Sequence, residues 1–154
     1  NVAEAFARTL ADTPNVLLRQ VIARNRERCE QVATIGRCSW SIDPAELADA
    51  DIYIIAVSDR AVESVACDYN FPENAIVVHT AGSVALSAIP RPGKRGILYP
   101  FQSFSAGRII RLRDVPILKK SLYRVRGSSS DFGAIHRNIL FRGATSNKSA
   151  RTSF

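Results

Sequence analysis

Apolar and polar positions along the 154-residue chain fall into short segments with two different periods. At the start, Val2, Ala3, Phe6, Ala7 and Leu10 recur at helical spacing with Glu4 and Arg8 opposite, which predicts a helix of about three turns. "DTPN" predicts a turn, because Pro14 cannot continue a helix and Asn and Asp favour turns. "VLLRQVIA", Val16 to Ala23, is apolar and β-branched without clean alternation, the pattern of a strand covered on both faces. "RNRERCEQVAT" reads as a helix with Cys29, Val32 and Ala33 inward, and "GRCSW" as a short strand around Arg37 to Trp40. In "SIDPAELADA" Asp43 is a candidate cap, Pro44 suits the first helical position, and Glu46 lies three residues after the cap.

"DIYIIAV", Asp51 to Val57, is the strongest strand, followed by a helix in "SDRAVESVA" with Ser58 or Asp59 as cap. "NAIVVHTA", Asn74 to Ala81, predicts another buried strand, and "SVALSAI" a short helix after Gly82, whose glycine suits an unusual backbone turn. "ILYP" reads as a short strand and "DVPIL" as an edge strand, given Pro116. Strands alternating with helices at these intervals predict an α/β fold, a doubly wound, mainly parallel Rossmann-like sheet. Right-handed crossovers put the C-terminal strand ends on one rim, where ligands bind in such folds.

Charge divides the chain. Residues 1–118 hold 13 Lys+Arg and 13 Asp+Glu, whereas residues 119–154 hold 8 Lys+Arg and one acid, Asp131. The net charge of +7 therefore belongs to the last 36 residues alone, so it does not mark the body as a nucleic-acid binder. That Ser- and Arg-rich stretch has no sustained amphipathic pattern and is expected to be irregular and dispensable. A basic arm for RNA or an acidic partner is the functional alternative. One short apolar run within it, "AIHRNILF" (134–141), is a candidate for a strand. Apolar content of 46% and charged content of 23% are those of a globular chain, and no apolar run is long enough to span a bilayer. Three cysteines (Cys29, Cys38, Cys67) are expected to be small core or boundary residues in a reducing, cytoplasmic setting.

"DIYIIAVSDRAVESVA", "IVVHTAGSVAL" and "GILYPFQSFS" resemble, in order and spacing, the Rossmann-like domain of DUF2520 proteins. These are grouped with coenzyme-F420-dependent NADP oxidoreductases and pyrroline-5-carboxylate reductases. The likeness covers about residues 1–118, "YPFQSFS" being its most specific part. It implies hydride transfer between NADP(H) and a small substrate that it does not identify; it leaves the use of F420 open. It also implies a homodimer for the full-length family. In that family a first strand and a G-x-G-N turn lead into a helix beginning Asn-Val-Ala, which Asn1, Val2 and Ala3 match. The expectation is a domain (1–118) whose first strand and glycine loop lie ahead of Asn1, followed by a foreign tail. "AIHRNILF" is then a candidate for the vacant central position. The alternatives are a non-catalytic nucleotide-binding or interaction module, such as a gene remnant, and a basic-tail nucleic-acid binder.

The resemblance and the sheet rule together select candidate residues. Asn1 and Val2 open the first helix, at the pyrophosphate end. Arg24, Asn25 and Arg26 follow the strand that in NAD-binding sheets precedes an acid for the ribose 2′-OH; arginine there favours the 2′-phosphate of NADP. Alternatively, Arg26 and Arg28 are the solvated face of the next helix. Val57 and Ser58 end the strongest strand, and Thr80 follows His79 at the end of the next; all three are candidate cofactor contacts. His79 and Gln102 are candidate catalytic residues, His79 as proton donor or polar anchor for a carbonyl or imine, or else a structural histidine. Tyr99 and Ser103 are expected beside the nicotinamide pocket, and Phe101 and Phe104 in packing. No metal-ligand cluster, P-loop or nucleophile elbow is legible.

Overall fold

A computed structural model describes residues 2–100, 117–121 and 138–143, the last two segments through their backbone. Helix α1 (Val2–Ala11) leads into strand β1 (Leu17–Ile22), helix α2 (Arg26–Gly36) and strand β2 (Ser39–Ser41). Strand β3 (Ile52–Ala56), helix α3 (Val62–Asp68) and strands β4 (Ile76–His79) and β5 (Arg95–Pro100) follow. Strands β6 (Ile117–Ser121) and β7 (Asn138–Gly143) complete the described elements.

The sheet runs β2-β1-β7-β3-β4-β5-β6. All neighbours are parallel except β5 and β6. The α/β doubly wound expectation holds. What differs is the occupant of the centre. A doubly wound sheet of order 3-2-1-4-5-6 has its first strand between the second and fourth; here β7 takes that place, between β1 and β3. It pairs from Leu17↔Asn138 to Ile22↔Arg142 on one side, and from Ile52↔Ile139 to Ala56↔Gly143 on the other. Without it, two inner strands would each present an unpaired row of backbone donors and acceptors. The stretch 119–154, expected to be irregular, thus contributes the end of β6 and all of β7. The candidate strand in 134–141 is realised from Asn138 onward.

Alternation along β3 divides the core between two layers. Ile52, Ile54 and Ala56 join Ala3, Phe6 and Ala7 of α1 and Cys29, Val32 and Ala33 of α2 on one face. Tyr53 and Ile55 join Ile22, Val65, Val77 and Ile89 on the other. Such two-sided burial is why these strands read as continuous apolar runs. In β1 a bulge between Leu18 and Gln20 leaves Arg19 unmatched on the β7 side. The extra residue puts Leu18 on the same face as Val21. The Ser39 hydroxyl donates to the Arg19 carbonyl at 2.8 Å, partnering the bulged backbone.

The connections are tighter than the sequence predicts. Asp43 does cap, accepting from the Ala45 N–H at 2.8 Å, but Pro44–Glu46 is a single 3-10 turn. Buried Gln20 clamps this crossover: its amide nitrogen donates to the Glu46 carbonyl at 2.9 Å and its oxygen accepts from the Ala48 N–H at 3.0 Å. Single 3-10 turns also stand at Asp59–Ala61, before α3, and at Leu86–Ala88, where a short helix is predicted. Gly82 is not in the left-handed region. A Cβ there would lie 2.8 Å from the Tyr99 ring, so close approach, not turn geometry, requires glycine.

Candidate functional site at the C-terminal rim of the sheet

The register places Ile22, Ala56, His79 and Gly143 at the same edge, the C-terminal ends of β1, β3, β4 and β7. The chain leaves this edge in opposite directions: from β1 outward to β2, and from β3 outward through β4 and β5. That divergence is the topological switch point, where the crevice of a doubly wound sheet lies. The α1 N-terminus lies near it, since Glu4 in its first turn pairs with Arg28 in the first turn of α2. The Glu4 carboxylate complements the partial positive charge of the helix start, and Arg28 neutralises the negative charge that would otherwise repel an anion there.

After β1, Ala23 is buried while Arg24, Asn25 and Arg26 are exposed. The Asn25 side chain is occupied as the α2 cap, accepting from the Arg28 N–H at 2.8 Å. Arg28 is engaged by Glu4 and by the Gln31 side-chain oxygen at 3.0 Å. Arg26 instead lies over the Trp40 ring of β2, its guanidinium carbon 5.2 Å from the ring centroid. Among the described residues neither Arg24 nor Arg26 meets a carboxylate. Two cations with open donors therefore stand beside the end of β1.

Beyond β3, Val57 is half-buried and Ser58 and Asp59 are exposed. Neither serves as the predicted side-chain cap: Ser58 makes no such bond, and the Asp59 carboxylate accepts from the Ser83 hydroxyl. This contact joins the loops after β3 and β4. Thr80 is buried, and its N–H donates to the Ile55 carbonyl at 3.1 Å. Its backbone prolongs the ladder.

His79 is fully buried, and among the described residues neither ring nitrogen has a partner with hydrogen-bond geometry. Burial pushes its pKa below the usual histidine value, partly offset by the nearby backbone at Ala85, the Asp59 carboxylate and the backbone at Ala81. The ring is held neutral at pH 7. Burial also raises the thiol pKa of Cys29 and takes that of Cys38 up to about 11, as suits packing residues. Cys67 is exposed, and all three are free thiols.

Val2 is half-buried and packs on the core, so what it offers the rim is the backbone of the first turn. Asn1, Gln102 and Ser103 lie outside the described residues. Tyr99 is half-buried against Gly82. Two features are not legible in the sequence, the Arg26–Trp40 cation–π contact and the Asp59–Ser83 link. The first follows only from β1–β2 pairing, and the second joins residues 24 apart.

No helix among the described residues is long and apolar enough to cross a membrane. No protein-family model matches the chain, and no curated protein matches it. Among solved structures the chain is similar to a "putative NADP oxidoreductase" of Bacteroides fragilis, at 23% identity and a TM-score of 0.65. The match covers 94% of this chain and 56% of that one, so this chain spans little more than half its neighbour's length. At that identity the likeness establishes a shared Rossmann-like fold.

Proposed function

We propose that the chain is an NADP(H)-binding, oxidoreductase-like domain acting with a small-molecule substrate. The observation that carries this reading is the pair Arg24 and Arg26 beside the switch point, exposed and, among the described residues, free of carboxylates. A 2′-phosphate is the group such a pair fits, through charge-assisted hydrogen bonds. The fold likeness to a protein described as an NADP oxidoreductase supports the same choice.

The donor set suits a dinucleotide along its length. The first turn of α1, with Glu4 paired to Arg28, would offer its backbone N–H groups to a pyrophosphate. Val57 and Ser58 would flank the ribose beyond β3. His79, buried and kept neutral at the end of β4, fits a structural histidine beneath the rim, since its ring has no exposed surface to offer a substrate. When bound, the nicotinamide supplies the hydride chemistry; the protein supplies binding and orientation.

Calorimetric titration of the chain with NADPH and NADH tests the reading. Saturable NADPH binding, at least tenfold tighter than NADH, is the expected result. Equal affinities, or tighter NADH binding, would rule out the 2′-phosphate assignment.

A further inference from the structure

We propose that Trp40 is a positioning residue for a 2′-phosphate, holding the Arg26 guanidinium by its face and leaving its N–H edges for the phosphate oxygens. The inference rests on the dinucleotide reading above and names how one end of that site is built.

The three arginines around the start of α2 differ in what engages them. Arg28 is taken by Glu4 and Gln31, and among the described residues Arg24 meets neither acid nor ring. Arg26 alone is held by an aromatic face, 5.2 Å from its centroid. A carboxylate would consume the same in-plane donors that a phosphate needs. An aromatic ring attracts the cation through its π-face and uses none of them. Trp40 therefore restricts the guanidinium without satisfying its donors, lowering the ordering cost of phosphate capture. Its own place is fixed by the pairing Val21↔Trp40 and by packing on the core shared by α1 and α2. Glu27, exposed in the same turn as Arg26, is the acid that a 2′-hydroxyl reader would use instead.

Trp40 is the single tryptophan of the sequence, so its emission reports on this contact without labelling. The full chain is titrated with adenosine 2′,5′-bisphosphate and with adenosine 5′-monophosphate, following emission and heat. The bisphosphate is expected to change the emission saturably and to bind at least tenfold tighter. Trp40→Leu, followed by heat alone, should weaken the bisphosphate about two- to fivefold and leave the monophosphate unchanged, that being the scale of an exposed cation–π contact. Trp40→Phe should recover part of the loss. Arg26→Lys keeps the charge and the tryptophan but not the planar fork, and should lose the emission change.

Unaltered discrimination in Trp40→Leu, or equal loss for both nucleotides, would overturn the positioning role while NADPH binding by the parent chain leaves the dinucleotide reading standing. Monophosphate binding tighter than bisphosphate, abolished by Glu27→Gln, would overturn both. So would the absence of binding by either compound.

Discussion

Ile54 of β3 lies opposite Phe141 of β7 in a parallel ladder, although 87 residues separate them in the sequence. The pairing makes the basic C-terminal stretch part of the sheet's centre. Ending the chain at Arg137 should therefore abolish cooperative unfolding rather than trim a dispensable tail. Both β1 and β3 would lose a neighbour, and each would bury unpaired backbone groups or open to water. Leu140→Pro is the milder version: it removes one ladder donor from a strand flanked on both sides, and should lower the urea midpoint clearly. A truncated chain with unchanged near-ultraviolet circular dichroism and midpoint would show that β7 contributes nothing.

Much of this architecture is legible in residue order, for definite reasons. The runs at 16–23, 51–57 and 74–81 each contain an observed strand, because burial on both faces leaves a continuous apolar signature. Asp43 and Pro44 announce a helical start, yet the crossover is one turn long, because its length is set by the Gln20 clamp. The glycine at 82 is legible but its reason is not, since the constraint is the Tyr99 ring on another strand. The central position of β7 is legible only through the vacancy that the resemblance leaves for the apolar run 134–141. Its six residues sit in a basic, Ser-rich context, and charge composition says nothing about backbone pairing with strands so far away in sequence. At the rim, the positions of Arg24 and Arg26 were legible from the strand before them, whereas the partners that leave them open are set by tertiary contacts.

Gln20→Ala should cost about 2 kcal/mol or more. The side chain is buried and satisfies two backbone groups, the Glu46 carbonyl and the Ala48 N–H. Removing it leaves both without that partner, at roughly 1–3 kcal/mol for each buried group that water cannot reach. Chemical denaturation with an unchanged m-value checks this. A loss under about 0.5 kcal/mol would mean that the crossover is held elsewhere.

Gly82→Ala should destabilise the fold by about 1–3 kcal/mol, the usual cost of overpacking. The added methyl meets three Tyr99 ring carbons at 2.8, 2.8 and 2.9 Å, and a ring has no flexible end to yield. Tyr99→Ala in the same chain should relieve most of that increment. Additive losses in the double variant would exclude the contact as the cause.

His79 makes a prediction with a definite sign. Burial lowers its pKa in the folded state below the unfolded value of 6.5, so below that pH the unfolded chain binds a proton that the folded chain resists. Well above pH 6.5 both states are neutral there and the residue contributes no pH dependence. Stability should fall as the pH drops through 6.5 toward the lowered folded-state pKa, by at most about 1.4 kcal/mol per unit from this group. His79→Phe should flatten that limb, whatever it does to stability at pH 8. An identical slope in the variant would assign the acid sensitivity to other groups.

On the proposed function, Arg24 is expected to set cofactor preference in its own right, because among the described residues no carboxylate and no ring engages it. A charge-assisted hydrogen bond to a 2′-phosphate is worth roughly 1.5–3 kcal/mol, or about ten- to a hundredfold in affinity. Arg24→Ala should therefore weaken NADPH by about that factor and leave NADH within twofold. Arg24→Lys should recover only part of the loss, since a point charge replaces the planar fork. Raising the salt should weaken NADPH more than NADH, and more steeply in the parent chain than in Arg24→Ala, since an exposed charge pair is screened. Calorimetry at two ionic strengths measures all of these, and equal loss of both cofactors in Arg24→Ala would place the 2′-phosphate away from β1.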